Sequence, residues 1–390
     1  MSRKTTIWFW TIAFVALAVL LAKTLVADVY HVDSGSMEPA IAGARSGGER
    51  VLVRYDRSPP ERFDLVVLLR SGESTPIVKR VVGLPGESVR ILQGDLVVNG
   101  ERLAPDAPRP APVLVFDDRA QKIEDYLAPG ADERKRWNAD GGVWTVDATD
   151  VPRAAQAGMM FWQNGLKDDY LALDGSIVRG ATEVNDCIFE CEVRADSAGG
   201  AIRIGLAEQG DVFEFSIEPA DGGRARVRIV QRFKSEGDEE LVSADVDWKS
   251  GAWQRVRCSN VDNALALEIG EHAAVRTRYE QNHPHHADRL QEGKSFGERL
   301  FVGGDRGRFS FQKLRVWRDL CYTQRGQRGV TSPIDLGPAE YFVLGDHSAE
   351  SRDSREWGPV HKGEILGRPE AVVWPLAHAR WLEPTGEAEP

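Results

Sequence analysis

Residues 33–39 (DSGSMEP) contain the side chain best suited to chemistry in this chain, Ser36. A serine hydroxyl is a weak nucleophile at neutral pH, so an attacking Ser36 needs a base within hydrogen-bond reach and donors for the oxyanion. We predict those donors to be the backbone N–H of Ser36 and the hydroxyl of Ser34, because Gly35 permits a tight turn. Taken alone, the same residues are typical of an ordinary turn.

The predicted base is Lys79, within the apolar stretch TPIVKRVVGLPGE of residues 75–87. Burial disfavours the ammonium form and can lower a lysine pKa by up to about 3–5 units, which makes the amine a base near pH 7. Ser-Lys pairs are a known variant of the catalytic triad. The alternative is a half-buried strand with Lys79 in water, since lysine is almost never fully buried unless it is paired.

Four stretches together resemble the type I signal peptidases, membrane-anchored Ser/Lys endopeptidases. They are SGSMEP (34–39), ERFDLVVLL (61–69), VKRVVGLPGE (78–87) and GDHSAESRDSREWGPV (345–360), in the family's order. The resemblance implies that Ser351 holds the lysine amine by a hydrogen bond and that Asp353 and Arg355 form a supporting ion pair. The alternative for that pair is a surface contact of little energetic value. No cofactor and no metal are expected.

The resemblance also implies a groove for an extended preprotein. Its small pockets would be lined by residues at the family's matching positions, which are Tyr30, Val32, Ile41, Ile77 and Val78. The substrate would add as a strand beside Asp33 and Val78, with backbone hydrogen bonds for affinity and pockets for specificity.

The sequence departs from the family pattern at four positions. Asp33 stands in place of a proline, Ala40 of a threonine, Phe63 of a glycine and His347 of an asparagine. His347 raises a rival Ser-His-Asp mechanism. Neighbouring residues of a strand point to opposite faces, however, so Asp346 is poorly placed to orient His347.

Residues 7–27 (IWFWTIAFVALAVLLAKTLVA) are interrupted by one charge and match the roughly 20 residues of a membrane-spanning helix. Arg3 and Lys4 before them predict a cytoplasmic N-terminus, residues 1–6, with the remaining chain outside the inner membrane. The bilayer is therefore a predicted partner. A cleaved secretory signal is the alternative, although its apolar core is usually shorter, about 7–15 residues.

The composition describes a globular, acidic protein. With 60 acidic and 49 basic residues the net charge is −11, which argues against nucleic acid as a partner. A length of 390 residues predicts at least two folded units. The fold is expected to be mainly β, with an antiparallel peptidase domain formed by residues 28–110 and 324–384 and a tail at 385–390.

Residues 111–323 match none of the four stretches and are predicted to form an inserted domain. Alternating β-like runs recur at 186–195, 201–208, 212–219, 225–233, 253–261, 264–271 and 309–319. This pattern predicts an antiparallel β-sandwich and resembles a concanavalin-like or laminin-G jelly roll. Such domains often bind glycans or proteins, so either ligand is open, and a spacer that orients the peptidase is the alternative.

Two further motifs in the insert leave alternatives open. Cys187 and Cys191 would lie about 13 Å apart on one strand, too far to bond each other, so each would pair with Cys258 or Cys321 or remain a buried thiol. The histidines of residues 282–286 (NHPHH) have no acidic or cysteine partner nearby in sequence. A solvated loop is therefore predicted there, and no metal.

These observations predict a single-pass serine endopeptidase that removes signal peptides. The rival from another class is an anchored binding protein whose peptidase frame is inert. The intact Ser36 and Lys79 argue against it. A self-cleaving Ser/Lys switch protein is a third alternative, but such proteins are soluble and lack a membrane anchor.

Overall fold

The structure is a computed structural model. It describes residues 27–43, 47–56, 58–92, 94–103, 107–153, 158–163, 165–184, 186–208, 211–232, 238–279, 300–383 and 385, together with 8, 10 and 14. Within these residues no helix has the length and apolar character needed to cross a bilayer. Of the predicted anchor only residues 8, 10, 14 and 27 are described, and the rest lies outside, as does the histidine tract.

The described chain is mainly β. The strands of its first half are β1 (Ala27–His31), β2 (Arg50–Arg54), β3 (Leu65–Leu68), β4 (Ile77–Gly83), β5 (Ser88–Leu92), β6 (Asp95–Val98), β7 (Glu101–Arg102), β8 (Val113–Asp117), β9 (Leu127–Pro129), β10 (Trp137–Asp140), β11 (Val143–Asp147), β12 (Met159–Trp162), β13 (Tyr170–Leu171), β14 (Ile177–Val178) and β15 (Cys187–Ala195).

The remaining strands are β16 (Ala201–Glu208), β17 (Asp211–Ala220), β18 (Arg224–Arg232), β19 (Glu239–Asp247), β20 (Gln254–Val261), β21 (Ala264–Ile269), β22 (His272–Arg278), β23 (Leu300–Asp305), β24 (Arg308–Arg318), β25 (Ile334–Asp335), β26 (Glu340–Leu344), β27 (Val360–His361), β28 (Ile365–Trp374) and β29 (Arg380–Trp381). The helical segments are the α-helix α1 (Ser354–Trp357) and 3₁₀ turns at Gly35–Met37, Ile123–Asp125, Ala131–Arg136, Lys362–Glu364 and Leu376–His378.

The chain divides into two compact units. The first comprises Met1–Ala111, Ala172–Ser176 and Leu320–Pro390, and the second comprises Pro112–Leu171 and Ile177–Asp319.

The first unit is built on an antiparallel sheet of order β1-β2-β28-β3-β4-β26-β27, in which β29 also pairs with β28. A smaller sheet has the order β25-β5-β6-β7. All four residues of β3 are buried, as expected for a central strand with an unbroken apolar run. One buried cluster contains Val32, Met37, Ile41 and Val78, and a second contains Val66, Val81 and Val343.

The second unit contains two large antiparallel sheets. Their orders are β10-β11-β24-β15-β20-β21-β22, with β8 beside β24, and β19-β18-β17-β16-β23-β12-β9. Apolar side chains alternate with polar ones along the central strands, as with the buried Phe213, Phe215 and Ile217 of β17. This period of two is the alternation that the sequence predicted for these strands.

The four cysteines are present as thiols, which is one of the two alternatives that the sequence left open. Cys258 lies opposite Phe189 on the neighbouring strand, so Cys187 and Cys191 occupy diagonal positions on the same face. Burial raises the pKa of Cys191 and Cys258 well above the usual range, so both remain protonated at neutral pH.

Candidate active site

Ser36 lies in the 3₁₀ turn Gly35–Met37, shortly after β1 ends, and is 8% exposed. Its Oγ is 3.1 Å from the Oγ of Ser34, one of the two predicted oxyanion donors. The turn packs so closely against Gly43 that a Cβ there would come within 2.2 Å of the Ser34 carbonyl oxygen. A larger residue at position 43 would therefore displace the turn that carries the serine.

Two buried carboxylates hold this loop in place, and the sequence analysis did not identify either of them. Glu38 accepts a hydrogen bond from the backbone N–H of Gly43 at 2.9 Å, and Glu49 accepts one from Ala42 at 2.8 Å. Arg380, the first residue of β29, also donates hydrogen bonds to the Glu49 carboxylate. Both residues follow Ser36 closely in the sequence, which could have drawn attention to them. The sequence did not predict that their side chains are buried.

Lys79 lies in the middle of β4 and is 2% exposed. Its Nζ donates to Ser36 Oγ at 2.5 Å and to the Val78 carbonyl at 3.0 Å. Residue 79 pairs with Val66 of β3, and both neighbours on its own strand are buried. The strand therefore brings the amine to the serine hydroxyl through an apolar environment.

Burial is the main cause that lowers the pKa of Lys79, which falls from 10.5 to about 8. The carboxylates of Asp353 and Asp346 act in the opposite direction, and the guanidinium of Arg355 lowers the pKa further. With a pKa near 8 about a tenth of the amine is neutral at pH 7 and about half at pH 8. A neutral amine next to a hydroxyl can accept its proton.

The segment after β26 supports this arrangement through a buried ion pair. Arg355 donates to Asp353 from Nε at 2.8 Å and from Nη2 at 2.7 Å, and both side chains are almost fully buried. Asp353 also caps α1 and accepts from the backbone N–H of Gly345 at 3.1 Å. Arg355 reaches Ser348 and Thr323, two partners that the sequence analysis did not single out.

Ser351 is brought close to the site but does not bind Lys79 as the resemblance implied. A Cβ on Gly345 would lie 2.3 Å from Ser351 Oγ and 2.4 Å from the Ser36 carbonyl oxygen, so Gly345 has both as close neighbours. The Ser351 hydroxyl is buried and has no hydrogen-bond partner. The amine of Lys79 is instead engaged by Ser36 and Val78.

Arg80, on the opposite face of β4 from Lys79, forms a second buried ion pair that the sequence analysis missed. It binds Asp346 through Nε at 2.8 Å and Nη2 at 2.6 Å, and donates to the Phe63 carbonyl at 2.9 Å. Both carboxylate oxygens of Asp346 are thus bound to Arg80. His347 donates its backbone N–H to the Ser36 carbonyl at 3.1 Å, and its Nδ1 lies 3.8 Å from Glu350.

Four of the six predicted substrate-binding residues lie in one place. Val32, Ile41 and Val78 belong to one buried cluster and Tyr30 packs against it. Ile77 packs against the other cluster. Asp33 is exposed, and its Oδ1 lies 2.6 Å from Nδ1 of His31. β1 is an edge strand of its sheet, and β26 pairs with β4 only from Arg80 to Gly83.

Comparisons with known proteins cover most of the chain. The family described as signal peptidase, peptidase S26, matches residues 5–153 and 275–374. A probable signal peptidase I-2 of Synechocystis is 32% identical over 162 residues, 37% of this chain and 67% of that protein. A signal peptidase I of Bacillus amyloliquefaciens is 36% identical over 128 residues, 32% of this chain and 64% of that protein. The chain thus spans about two thirds of each of these relatives.

Among solved structures, a carbohydrate binding module from Bacillus subtilis is similar, with 8% identity and a TM-score of 0.26. The aligned residues make up 47% of this chain and 88% of the module. At that TM-score the likeness supports no inference about the ligand of the second unit.

Proposed function

Because this chain belongs to the signal peptidase family, peptidase S26, we propose that it cleaves signal peptides from preproteins with a Ser36-Lys79 dyad. Its homologues indicate a serine peptidase, that is, a hydrolase. The observation that carries the proposal is the buried amine of Lys79, with Nζ 2.5 Å from Ser36 Oγ. Burial lowers the pKa of this lysine to about 8, which supports its role as a base.

In the proposed reaction the neutral amine of Lys79 takes the hydroxyl proton as Ser36 Oγ bonds to the scissile carbonyl carbon. The tetrahedral oxyanion is stabilised by the backbone N–H of Ser36 and the hydroxyl of Ser34. Lys79 then gives its proton to the leaving amine, and the C–N bond breaks. Water, deprotonated by the same amine, hydrolyses the acyl ester and releases the signal peptide as a carboxylic acid.

The proposed roles of Asp353, Arg355 and Ser351 are to position the base. The buried pair of Asp353 and Arg355 fixes the loop that surrounds Lys79. The unpartnered hydroxyl of Ser351 is available to the amine when the proton moves away from Ser36. A base must be aimed as well as neutral, since small displacements of reacting groups cost large factors in rate.

The proposed substrate lies as an added strand between β1 and the first half of β4. The exposed edges of these strands provide backbone donors and acceptors, and the cluster around Val32, Ile41 and Val78 would receive small side chains. Asp33 would border this groove. Ile77, which packs elsewhere, belongs to the groove only through its backbone.

The proposed location is the cytoplasmic membrane. Residues 7–27 would form a single-pass anchor with residues 1–6 inside and the catalytic unit outside. Residues 28–110 and 324–384 would form the peptidase domain, and residues 111–323 an inserted β-sandwich of concanavalin-like type. The compactness of the second unit and its two large sheets support that division.

The test is cleavage of a purified preprotein by the full-length protein in detergent. Ser36→Ala and Lys79→Ala should each lower kcat/KM by roughly 10³-fold or more, because nucleophile and base act as a unit. Lys313→Ala is a matched control, because that lysine lies in the second unit and its side chain is 58% exposed. The Lys313→Ala variant should cleave the preprotein at the wild-type rate. Retained cleavage by Lys79→Ala together with loss in His347→Ala would overturn the dyad.

A further inference from the structure

The second unit contains a cavity of about 330 Å³ on the sheet that includes β16, β17, β18 and β19. We call it the polar groove, and its central side chains are Arg203, Glu214, Ser216, Arg228 and Arg232. None of these residues takes part in the peptidase site, which lies in the first unit. The volume is at the low end of the roughly 300–1,000 Å³ that small-molecule sites occupy.

The polar groove lies on the face of the sheet that points away from the apolar core. In β16, Ile202 and Ile204 are at most 1% exposed on the core face, while Arg203 points to the other side. A polar outer face of an antiparallel sheet is normally solvated. Here Arg203 is 5% exposed and Ser216 4%, so this part of the face is concave and encloses its polar groups.

Charges within the polar groove already compensate one another. Glu214 binds Arg203 and accepts from Arg232 Nη2 at 2.6 Å, and Arg228 binds Glu218. The described lining contains four arginines and five carboxylates. A charged ligand would therefore compete with a formed ion pair, which is costly when the pair is buried. An uncharged ligand would leave this balance intact.

Polar atoms of Ser216 and Arg228, which both line the polar groove, have no hydrogen-bond partner. They are the buried Oγ of Ser216 and the Nε of Arg228, which are opposite each other in the register of β17 and β18. Buried polar atoms in proteins are almost always hydrogen-bonded, so these two neighbouring atoms would be satisfied by a ligand that carries hydroxyl groups. The Nε of Arg228 can only donate a hydrogen bond, whereas the hydroxyl of Ser216 can both donate and accept one.

We propose that the polar groove binds an uncharged polyhydroxylated ligand, the terminal sugar of a glycan. Each sugar hydroxyl donates to a carboxylate and accepts from a guanidinium, so vicinal hydroxyls fit a surface of alternating arginine and carboxylate. Ala201 and Val230 provide a small apolar area for ring carbons. The described lining has no aromatic side chain, so hydrogen bonds rather than stacking select the ligand.

The test is calorimetric titration of the full-length protein with maltotetraose, cellotetraose, laminaritetraose and N-acetylchitotetraose, with trigalacturonate as the charged probe. The detergent is lauryldimethylamine oxide, because a maltoside would itself present a sugar. At least one neutral oligosaccharide should bind saturably. Ser216→Ala should weaken that binding about fivefold, the value of one hydrogen bond, and Arg228→Lys, which keeps the charge but removes Nε, at least as much.

Arg226→Lys is the matched control, since Arg226 lies two residues before Arg228 on the same face of β18, is 46% exposed and does not line the polar groove. It should bind the sugar within about twofold of wild type. Preprotein cleavage and the melting temperature of the second unit should be unchanged in all three variants, and the melting temperature verifies the folding of that unit independently of the ligand. Absence of binding by every neutral probe, binding of trigalacturonate alone, or equal losses in Arg226→Lys and Arg228→Lys would overturn the proposal.

Discussion

A lysine amine in water has a pKa of 10.5, and at position 79 burial lowers it to about 8. The carboxylates of Asp353 and Asp346 favour the ammonium form and limit the fall of the pKa. The residue is therefore neither permanently charged nor permanently neutral near physiological pH. That intermediate value suits a base which must accept a proton from Ser36 and later return it.

The pH dependence of cleavage should report this residue directly. The neutral amine is the active form, so kcat/KM should fall about tenfold per pH unit below a pKa near 8 and level off above it. The measurement is kcat/KM for a preprotein from pH 5.5 to 9.5, with the melting temperature recorded at each pH to verify that the protein stays folded. A profile with no acid limb near pH 8 would contradict Lys79 as the base.

At the scale of elements, the sequence predicted the positions of individual strands best. The predicted run 201–208 is observed as Ala201–Glu208, and 264–271 as Ala264–Ile269, because strict alternation is a local property of the sequence. Pairing of distant strands is not local. Strand β28 lies between β2 and β3 in the sheet although it follows them by about 300 residues in the chain, and the periodicity of the sequence does not predict this pairing.

The site shows the same division between local and distant information. The proximity of Ser36 and Lys79 was predictable only because the resemblance supplied it, since no local pattern links positions 43 residues apart. The buried pair of Arg80 and Asp346 was missed, because each charged residue alone is typical of a surface. The expected bond from Ser351 to Lys79 is not formed in the structure, in which the amine binds Ser36 and Val78 and the Ser351 hydroxyl has no partner.

The carboxylate of Asp353 should raise the pKa of Lys79. Asp353→Asn removes the charge that most raises the pKa of Lys79 and leaves the opposing Arg355, so the acid limb of kcat/KM should move to lower pH. The same change leaves a buried arginine uncompensated and should lower stability by about 3–5 kcal/mol. Arg352→Gln in the same loop, 82% exposed, is the control and should change neither quantity. A limb that moves upward, or stays in place in a folded variant, contradicts this assignment.

At the scale of the whole molecule the chain combines two units that each have a buried core, one with the dyad and one with the polar groove. The first unit also contains an unfavourable feature, a lysine buried for function. The unfolded lysine has a pKa of 10.5 and the folded one about 8, so between these values the unfolded chain binds more protons and stability rises with pH. The cost of burial is therefore complete below pH 8, about 3 kcal/mol at pH 7, and under about 1 kcal/mol at pH 10.

Calorimetry of the full-length protein should separate the two units. Because each has its own core, we expect two unfolding transitions, and Lys79→Met should raise one of them by about 6–10 °C at pH 7 while the other stays unchanged. At pH 10 the gain should largely vanish, since the wild-type cost is then small. Lys313→Met, an exposed change in the second unit, is the matched control and should shift neither transition. A gain that persists at pH 10 would mean that methionine stabilises by packing alone and that the burial of Lys79 does not carry the proposed cost. A gain in both transitions would contradict the independent unfolding of the two units.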